Sequence, residues 1–299
     1  MAHSVWLKEI RAPFLLLPAI FVPLGVAIAW DHGSFNLFTA VLTLLGVLSL
    51  HASVNVLNDY FDFKNGIDLA TTPTPFSGGS RVLPAKELAP ASVLYGGLLF
   101  LMSGVGIGGY LIYSFAFDPV LVGILAIAAV SVVGYSGVLS HAGIGELMAG
   151  LNFGPLLVLG TYYVQARRID AEPLILGLAL GLMVAGILYI NEFPDATADQ
   201  EAGRRHLIIR WGKAKAAARF RVVVVGAYLV VVAGILVGLV TPLALVSVLA
   251  FPKAWKAAKI LGEKYDNSME LIPGMASMVL ATLWTGGLLL AAYLILHFI

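Results

Sequence analysis

The sequence contains no cysteine and few charged residues. Without cysteine, the 299-residue chain forms no disulfide and no thiolate metal site. Charged residues make up 12% of the chain, whereas soluble proteins average about 25%. The formal net charge is +1, so the overall charge does not point to a nucleic-acid partner. These shortages exclude an ordinary soluble domain and a disulfide-stabilised one.

Long apolar runs dominate the chain instead. Hydrophobic residues make up 60% of the sequence, and the mean hydropathy is +0.93. A membrane-spanning helix needs about 20 mainly apolar residues. Nine segments approach that length, at about 13–30, 38–62, 90–113, 119–139, 146–165, 173–191, 213–239, 241–261 and 271–297. The sequence therefore predicts an all-α integral membrane protein with nine transmembrane helices, formed by a single domain over residues 1–299.

The basic residues indicate how these helices are oriented. If the connections alternate between the two sides of the membrane, the 18 Lys and Arg residues divide very unevenly. Only Arg167 and Arg168 fall on one side, and all the others fall on the opposite side. Because cytoplasmic connections carry the excess of Lys and Arg, we expect a cytoplasmic N-terminus and cytoplasmic long loops.

A first polar cluster follows the apolar run 38–54. Charged groups at membrane depth are costly and therefore mark function by default. If the helix continues through this stretch, Asn55, Asp59 and Asp62 stand at positions i, i+4 and i+7, and their side chains share one face. We expect the helix to end near Gly66. The members of the cluster are Asn55, Asn58, Asp59, Asp62 and Asp68, the last of which lies just beyond that glycine.

A second polar cluster follows the apolar run 174–190. Asn191, Asp195 and Asp199 recur every four residues, which again places their side chains on one helix face. Each cluster thus closes a long apolar segment, and both fall on the predicted cytoplasmic side. We expect the two clusters to face each other across a cavity.

Facing carboxylate clusters of this kind predict a site for a hard divalent cation. Mg²⁺ prefers oxygen ligands and often completes its shell with phosphate oxygens. We therefore predict that Asp59, Asp62, Asp195 and Asp199 are Mg²⁺ ligands. The predicted catalytic residues are these four aspartates and Asp68. Such a site suits a prenyl diphosphate, because the metal neutralises the departing diphosphate while the allylic carbon leaves as a carbocation. The long isoprenoid tail requires an apolar tunnel that opens sideways to lipid.

Other side chains near the clusters are candidates for substrate contacts. Basic side chains can bind the diphosphate, and the asparagines can orient ligands or substrate. The candidates for binding are Asn55, Asn58, Lys64, Arg81, Asn191, Arg204 and Arg205. Aromatic faces can stabilise the carbocation. The aromatic candidates are Tyr60, Phe61, Phe153 and Tyr135, of which Tyr135 is the candidate catalytic residue.

These motifs resemble those of the UbiA superfamily of intramembrane aromatic prenyltransferases. The second cluster has that superfamily's Asp-x-x-x-Asp form. The first has its Asn-Asp-x-x-Asp-x-x-x-x-x-Asp form, at Asn58, Asp59, Asp62 and Asp68. The resemblance covers nearly the whole chain. It implies nine transmembrane helices around a central cavity with a cytoplasmic polar cap, and two Mg²⁺ ions that bridge the diphosphate. It also implies a location in the cell (inner) membrane.

Within that superfamily the chain is most similar to the menaquinone-pathway branch, which prenylates 1,4-dihydroxy-2-naphthoate with loss of CO₂. The similarity lies in residues 58–68, 80–83, 145–146, 153–155 with 160–165, and 202–205. Three features depart from that branch. Pro194 stands where an arginine is expected, Thr71 and Thr72 stand where another is expected, and the loop after Tyr135 is not proline-rich.

The departures concern contacts to the acceptor and to the diphosphate, so other acceptors stay open. These are the archaeal geranylgeranylglyceryl phosphate reaction, with its glycerol-phosphate acceptor, and 4-hydroxybenzoate. A secondary transporter is an alternative of a different class, because intramembrane carboxylates occur there too. Transporter carboxylates tend to lie at the bilayer midplane, whereas these cluster at helix ends beside basic loops. That placement favours the enzyme.

Overall fold

The computed structural model describes residues 2–71, 73–134 and 143–298, and all regular structure in these ranges is helical. Short 3₁₀-helices occupy Ala12–Leu15 and Pro242–Ala250, and a π-turn occupies Asn152–Leu156. The α-helices are α1 Ala2–Glu9, α2 Leu16–Asp31, α3 Leu37–Lys64, α4 Ile67–Ala70, α5 Pro90–Ser114, α6 Pro119–Gly134, α7 Gly145–Leu151, α8 Leu157–Ala166, α9 Ala171–Glu201, α10 Leu207–Trp211, α11 Lys213–Leu236, α12 Phe251–Lys264 and α13 Ser268–Leu296.

Seven helical segments in the described ranges are long and apolar enough to cross a membrane. They are Ala12–Asp31, Leu37–Lys64, Pro90–Ser114, Gly145–Ala166, Ala171–Glu201, Lys213–Leu236 and Ser268–Leu296. Each overlaps one predicted span, so the all-helical membrane architecture is confirmed. The predicted count of nine is not confirmed, because the spans at 119–139 and 241–261 do not meet the same standard. The first of these, α6, is apolar but is described only as far as Gly134.

The predicted span 241–261 differs from an apolar helix for a clear reason. Its first half is a 3₁₀-helix, and its second half lies in α12, which is amphipathic. Lys253, Lys256 and Lys259 recur every three residues, while small side chains between them, such as Ala257, are buried against the bundle. The average hydropathy of this stretch hides the difference between its two halves.

Local signals explain where the two cluster-bearing helices begin and end. Asn36 precedes α3, and its Oδ1 accepts a hydrogen bond of 3.0 Å from the Thr39 N–H, which caps the helix. As predicted, α3 continues through Asp62 and stops at Lys64, and Gly66 adopts the left-handed conformation with φ of 78°. Helix α9 runs through Pro194 to Glu201, so it contains the whole second cluster.

Helix α9 lies at the centre of the bundle and packs unusually closely against α7 and the π-turn. Gly150 and Gly154 face Gly177 and Gly181 of α9, so two Gly-x-x-x-Gly pairs meet. A Cβ atom on Gly154 would lie 2.3 Å from the Gly177 carbonyl oxygen and 2.5 Å from the Gly181 Cα. Small residues allow this approach between helices in lipid. The contact fixes α9, which carries the second cluster nearer its other end, against α7 and the π-turn.

We expect Gly154→Ala to destabilise the protein, because the added methyl group overlaps backbone atoms that cannot move away. Overpacking of this kind costs about 1–3 kcal/mol. Gly106→Ala is the matched control, since a Cβ at Gly106 has no neighbour within 4 Å among the described residues. Thermal unfolding in detergent should show a lower midpoint for Gly154→Ala than for Gly106→Ala. Equal midpoints would contradict the close approach.

Candidate active site

The first cluster lies at the end of α3, where its carboxylates are buried. Asp59 Oδ1 pairs with the Arg11 guanidinium, and Asp59 Oδ2 accepts a hydrogen bond of 2.8 Å from the Ser80 N–H. Asn58 Nδ2 donates to Asp62 Oδ2 at 3.0 Å. Both aspartates are at least nine-tenths buried, so each negative charge requires a nearby cation or donor.

The second cluster meets the first through one arginine. Arg204 Nη1 donates to Asp199 Oδ1 at 2.8 Å, and Arg204 Nη2 pairs with Asp62 Oδ1. Asp195, one turn before Asp199, accepts a hydrogen bond of 3.1 Å at Oδ2 from the Gly78 N–H. The structure thus brings Asp62 of α3 and Asp199 of α9 within the span of a single guanidinium group.

The loop that follows α4 holds both clusters in place. Gly78 and Gly79 have φ of 78° and 76°, a conformation that side chains disfavour. This backbone aims the Gly78 N–H at α9 and the Ser80 N–H at α3. A Cβ atom on Gly79 would lie 2.9 Å from Asp68 Oδ1, so glycine also leaves room for that carboxylate. The loop therefore joins the two clusters through its backbone.

A cavity of about 420 Å³ extends from these clusters into the bundle. Its polar end is lined by side chains that include Asp62, Asp68, Asp195, Asp199 and Arg204. Its other end is apolar and reaches Leu42, Leu111, Leu121 and Val164. Asp62 and Leu42 are 20 positions apart on α3, which corresponds to about 30 Å along the helix axis. The cavity thus follows most of the length of a membrane-spanning helix.

Asp68 of the first cluster and Glu9 beside it are carboxyl groups that are buried close to other negative charges. Burial, and then the charges of Asp59 and Asp62, raise the pKa of Asp68 to about 8. Burial, and then the charge of Asp59, raise the pKa of Glu9 to about 7. Glu9 also accepts a hydrogen bond of 2.6 Å from the Ser80 hydroxyl. Cations bound at this site would relieve the repulsion that these shifts report.

The structure brings several predicted binding residues to the cavity. Asn55, Asn58 and Asn191 line it, and Asn55 Nδ2 donates to the Ile10 carbonyl at 2.9 Å. Phe153 also lines it, edge-on to the His51 ring at 4.5 Å. Asp59 is not part of the lining, because Arg11 covers it from the cavity side.

Other predicted residues lie elsewhere. Lys64 and Arg205 are exposed and do not line the described part of the cavity. Arg81 adopts a left-handed conformation with φ of 67° and donates to the Asp68 carbonyl, which braces the loop. Of the aromatic candidates, Tyr60 and Phe61 are not in the lining either. Tyr135 lies outside the described residues, as does Thr72.

Four further residues at the site are not among the predicted ones, because their signal in the sequence is weak. Arg11 was read only as part of the basic excess on one side, yet it pairs with Asp59. Its position directly before the first span, beside the buried Glu9, is a signal that could have identified it. Glu192 lies between Asn191 and Asp195 in sequence, and His206 follows the second cluster; both line the same cavity. Glu146 has a carboxylate oxygen within 4.8 Å of their ligating atoms.

Comparison with known proteins decides the family. The profile of the UbiA prenyltransferase family matches residues 15–271. The chain belongs to the UbiA prenyltransferase family. It is therefore a prenyltransferase, and the enzyme interpretation is confirmed over the transporter alternative.

The predicted resemblance of this UbiA-family enzyme to the menaquinone-pathway branch is confirmed as well. A 1,4-dihydroxy-2-naphthoate octaprenyltransferase of Mycobacterium tuberculosis (strain ATCC 25618 / H37Rv) is 32% identical over 273 residues, which cover 88% of each chain. The Bacillus subtilis (strain 168) protein of the same name is 27% identical over 305 residues, covering 100% of this chain and 94% of its own.

Solved structures share the fold of this UbiA-family enzyme. A UbiA homolog from Archaeoglobus fulgidus, bound to GPP and Mg²⁺, aligns with a TM-score of 0.65 at 15% identity and covers 99% of this chain and 100% of its own. A UbiA homolog from Aeropyrum pernix K1 aligns with a TM-score of 0.68 at 17% identity, with 97% and 99% covered.

The Arg204 bridge of this prenyltransferase leads to a stability prediction. Arg204→Gln leaves Asp62 and Asp199 buried without their shared cation, and breaking a buried pair in this way costs about 3–5 kcal/mol. We expect a lower unfolding midpoint in metal-free detergent buffer. Added Mg²⁺ should restore part of the loss, because it replaces the missing positive charge.

Arg205→Gln is the matched control, since Arg205 is the exposed neighbour of Arg204. Its unfolding midpoint should equal that of the wild type with and without Mg²⁺. If the two variants behave alike, Arg204 does not hold the clusters together.

Proposed function

We propose that this enzyme transfers a polyprenyl group from a prenyl diphosphate to 1,4-dihydroxy-2-naphthoate, with loss of CO₂, in a reaction that requires Mg²⁺. The observation that carries the proposal is the meeting of Asp62 and Asp199 on Arg204 at the polar end of an apolar cavity. A charged head group and a long apolar tail fit such a cavity end to end. The naphthoate prenyltransferases among the relatives support the choice of acceptor.

The residues at the polar end fit Mg²⁺. Asp59, Asp62, Asp195 and Asp199 offer oxygen ligands, the kind that Mg²⁺ prefers, and we propose that they hold two ions. Asp195 Oδ1 is buried and, within the described ranges, accepts no hydrogen bond, which leaves it available for a cation. Bound Mg²⁺ would neutralise the diphosphate as its bond to the prenyl carbon breaks.

The protein's own groups position and stabilise the head group. Arg11 and Arg204 already lie at the carboxylates, and we propose that their guanidinium groups turn to the diphosphate oxygens when the substrate binds. Asn55, Asn58 and Asn191 orient ligands and substrate from the lining. We also propose the predicted diphosphate contacts of Lys64, Arg81 and Arg205. These three side chains do not line the described part of the cavity, so they would have to turn towards the substrate. We also propose Tyr135, which lies outside the described residues, as a catalytic residue.

The apolar end of the cavity suits the prenyl tail. Each buried CH₂ group contributes about 0.8 kcal/mol, so the tail anchors the substrate firmly. Apolar walls keep water away from the reactive prenyl carbon, and Phe153 adds an aromatic ring to the lining of the same cavity. We propose that the tail enters sideways from the lipid.

The proposal includes the membrane arrangement predicted from the basic residues. The polar end of the cavity faces the cytoplasm, as does the N-terminus, in an inner membrane that the chain crosses nine times. The uneven division of the basic residues supports this arrangement. When the predicted connections alternate between the two sides, only Arg167 and Arg168 fall on one side.

An acceptor panel tests the proposed function. Purified protein is incubated with Mg²⁺, a polyprenyl diphosphate and one acceptor at a time, and products are identified by mass spectrometry. The acceptors are 1,4-dihydroxy-2-naphthoate, 4-hydroxybenzoate and geranylgeranylglyceryl phosphate. We expect a prenylated, decarboxylated product from the naphthoate. A product from either of the other acceptors, with none from the naphthoate, would reassign the enzyme.

The metal ligands lead to a further prediction. Asp195→Ala and Asp59→Ala should each lower Mg²⁺-dependent diphosphate release by at least about a hundredfold, because charge stabilisation at the leaving group is lost. The control is Asp266→Ala, which removes an exposed carboxylate in the turn before α13 and should keep wild-type activity. Near-normal activity of either cluster variant at saturating Mg²⁺ would refute the assignment.

A further inference from the structure

Three ionisable side chains beside the clusters are not explained by diphosphate chemistry. Glu146 lies at the start of α7, Glu192 lies on α9, and His206 directly precedes α10. Their ligating atoms all lie within 4.8 Å of one another. Three separate segments thus converge on one small polar volume, which we call the Glu–Glu–His cluster.

The cluster is buried but not satisfied within the described part of the chain. Glu146 and His206 are 3% and 4% exposed. Glu146 Oε1 accepts a hydrogen bond of 2.9 Å from the Leu207 N–H. Within the described ranges, neither ring nitrogen of His206 forms a hydrogen bond, and Glu192 Oε2 accepts none. Buried polar atoms without partners are costly, so this volume suits a polar ligand.

The cluster faces the cavity one helical turn from the second aspartate cluster. Glu192 precedes Asp195 by three residues, which places it about 4.5 Å along α9 on the same face. Glu192 and His206 both line the cavity. His206 Nε2 lies 3.3 Å from Asp199 Oδ2, and His206 Nδ1 lies 3.6 Å from Glu192 Oε2. The cluster therefore begins where the proposed diphosphate site ends.

Apolar side chains adjoin the cluster on the cavity side. Met148 and Ala149 of α7 line the cavity beside Glu146, and Leu188 lies one turn before Glu192 on α9. A ligand that fits this place has a flat apolar body and a polar edge that donates hydrogen bonds. An aromatic ring that carries hydroxyl groups has this form.

We propose that the Glu–Glu–His cluster binds a hydroxyl group of the aromatic acceptor. This inference rests on the proposed function and assigns its second substrate a site. The side-chain oxygens of Glu146 and Glu192 accept hydrogen bonds from a hydroxyl donor, whereas the acceptor's carboxylate has no proton to donate to them. The acceptor's carboxylate therefore points away from Glu146 and Glu192. Its hydroxyl anchors the ring one turn from Asp195, beside the prenyl carbon.

The test compares two substitutions of Glu192 in the purified full-length protein in lipid nanodiscs. Glu192→Leu removes the hydrogen-bond acceptor at similar volume, whereas Glu192→Gln keeps an amide oxygen. Glu201→Leu is the matched control, an exposed glutamate at the end of the same helix. Steady-state kinetics give KM for 1,4-dihydroxy-2-naphthoate and for the prenyl diphosphate separately. Slow Mg²⁺-dependent hydrolysis of the prenyl diphosphate without acceptor reports on the diphosphate site alone.

For Glu192→Leu we expect KM for the naphthoate to rise at least about tenfold, as when a buried hydroxyl donor loses its hydrogen-bond partner. KM for the prenyl diphosphate and its hydrolysis should stay unchanged. Glu192→Gln should recover most of the naphthoate KM, and Glu201→Leu should match the wild type. A naphthoate analogue with one hydroxyl replaced by methoxy should have a higher KM than the naphthoate with the wild-type enzyme. With Glu192→Leu, the two compounds should have the same KM.

Three results would overturn the inference. Equal effects of Glu192→Leu on both substrates would indicate a structural role. A tightly bound divalent metal that is lost in Glu192→Leu, with an unchanged naphthoate KM, would make the cluster a cation site. If naphthoate KM stays unchanged while hydrolysis is lost, Glu192 serves the diphosphate. If the wild-type enzyme hydrolyses the prenyl diphosphate but prenylates a different acceptor, the proposed acceptor is wrong and the proposed reaction class stands.

Discussion

The burial of several carboxylates around a small volume is the constraint on which this structure depends. Asp59, Asp62 and Asp199 belong to two different helices, and such charges repel each other when water is excluded. The protein offsets this repulsion with two guanidinium groups, those of Arg11 and Arg204. The apposition of α3 and α9 thus depends on cations. A site in which guanidinium groups hold buried carboxylates together suits the proposed binding of Mg²⁺, which would replace their positive charge.

The scaffold around this charge cluster determines what kind of substrate fits. The glycine contact between α9 and the π-turn brings Phe153 and the Glu–Glu–His cluster to the same cavity wall as Asp195. The loop through Gly78 and Gly79 closes the polar end with backbone donors. Along α3 the lining changes from carboxylates to leucines. The cavity therefore has a charged end, the adjoining Glu–Glu–His cluster and a long apolar part, which match the diphosphate, acceptor and tail of the proposed substrates.

The sequence predicted the parts of the fold and site that leave a strong periodic signal. Each aspartate cluster follows a long apolar run, and its members recur at helical spacing. Both clusters, and the end of α3 before Gly66, could therefore be located. Arg204 and its neighbour Arg205 look alike in sequence, and only the turn after α9 decides which one points inward. Arg11 resembles any basic residue before a first span. The predicted span after Pro242 is not confirmed, because the average hydropathy of the stretch hides the lysine face of α12.

In the proposed mechanism the two aspartate clusters share one diphosphate, and the arginines move to it. A cryo-EM structure with Mg²⁺ and a non-reactive prenyl thiolodiphosphate tests this most directly. We expect the head group between α3 and α9, with metal density at Asp59, Asp62, Asp195 and Asp199. Arg204 should have left Asp62 and Asp199 for the phosphate oxygens. A head group bound elsewhere, or Arg204 still joining Asp62 to Asp199 beside a bound diphosphate, would contradict the account.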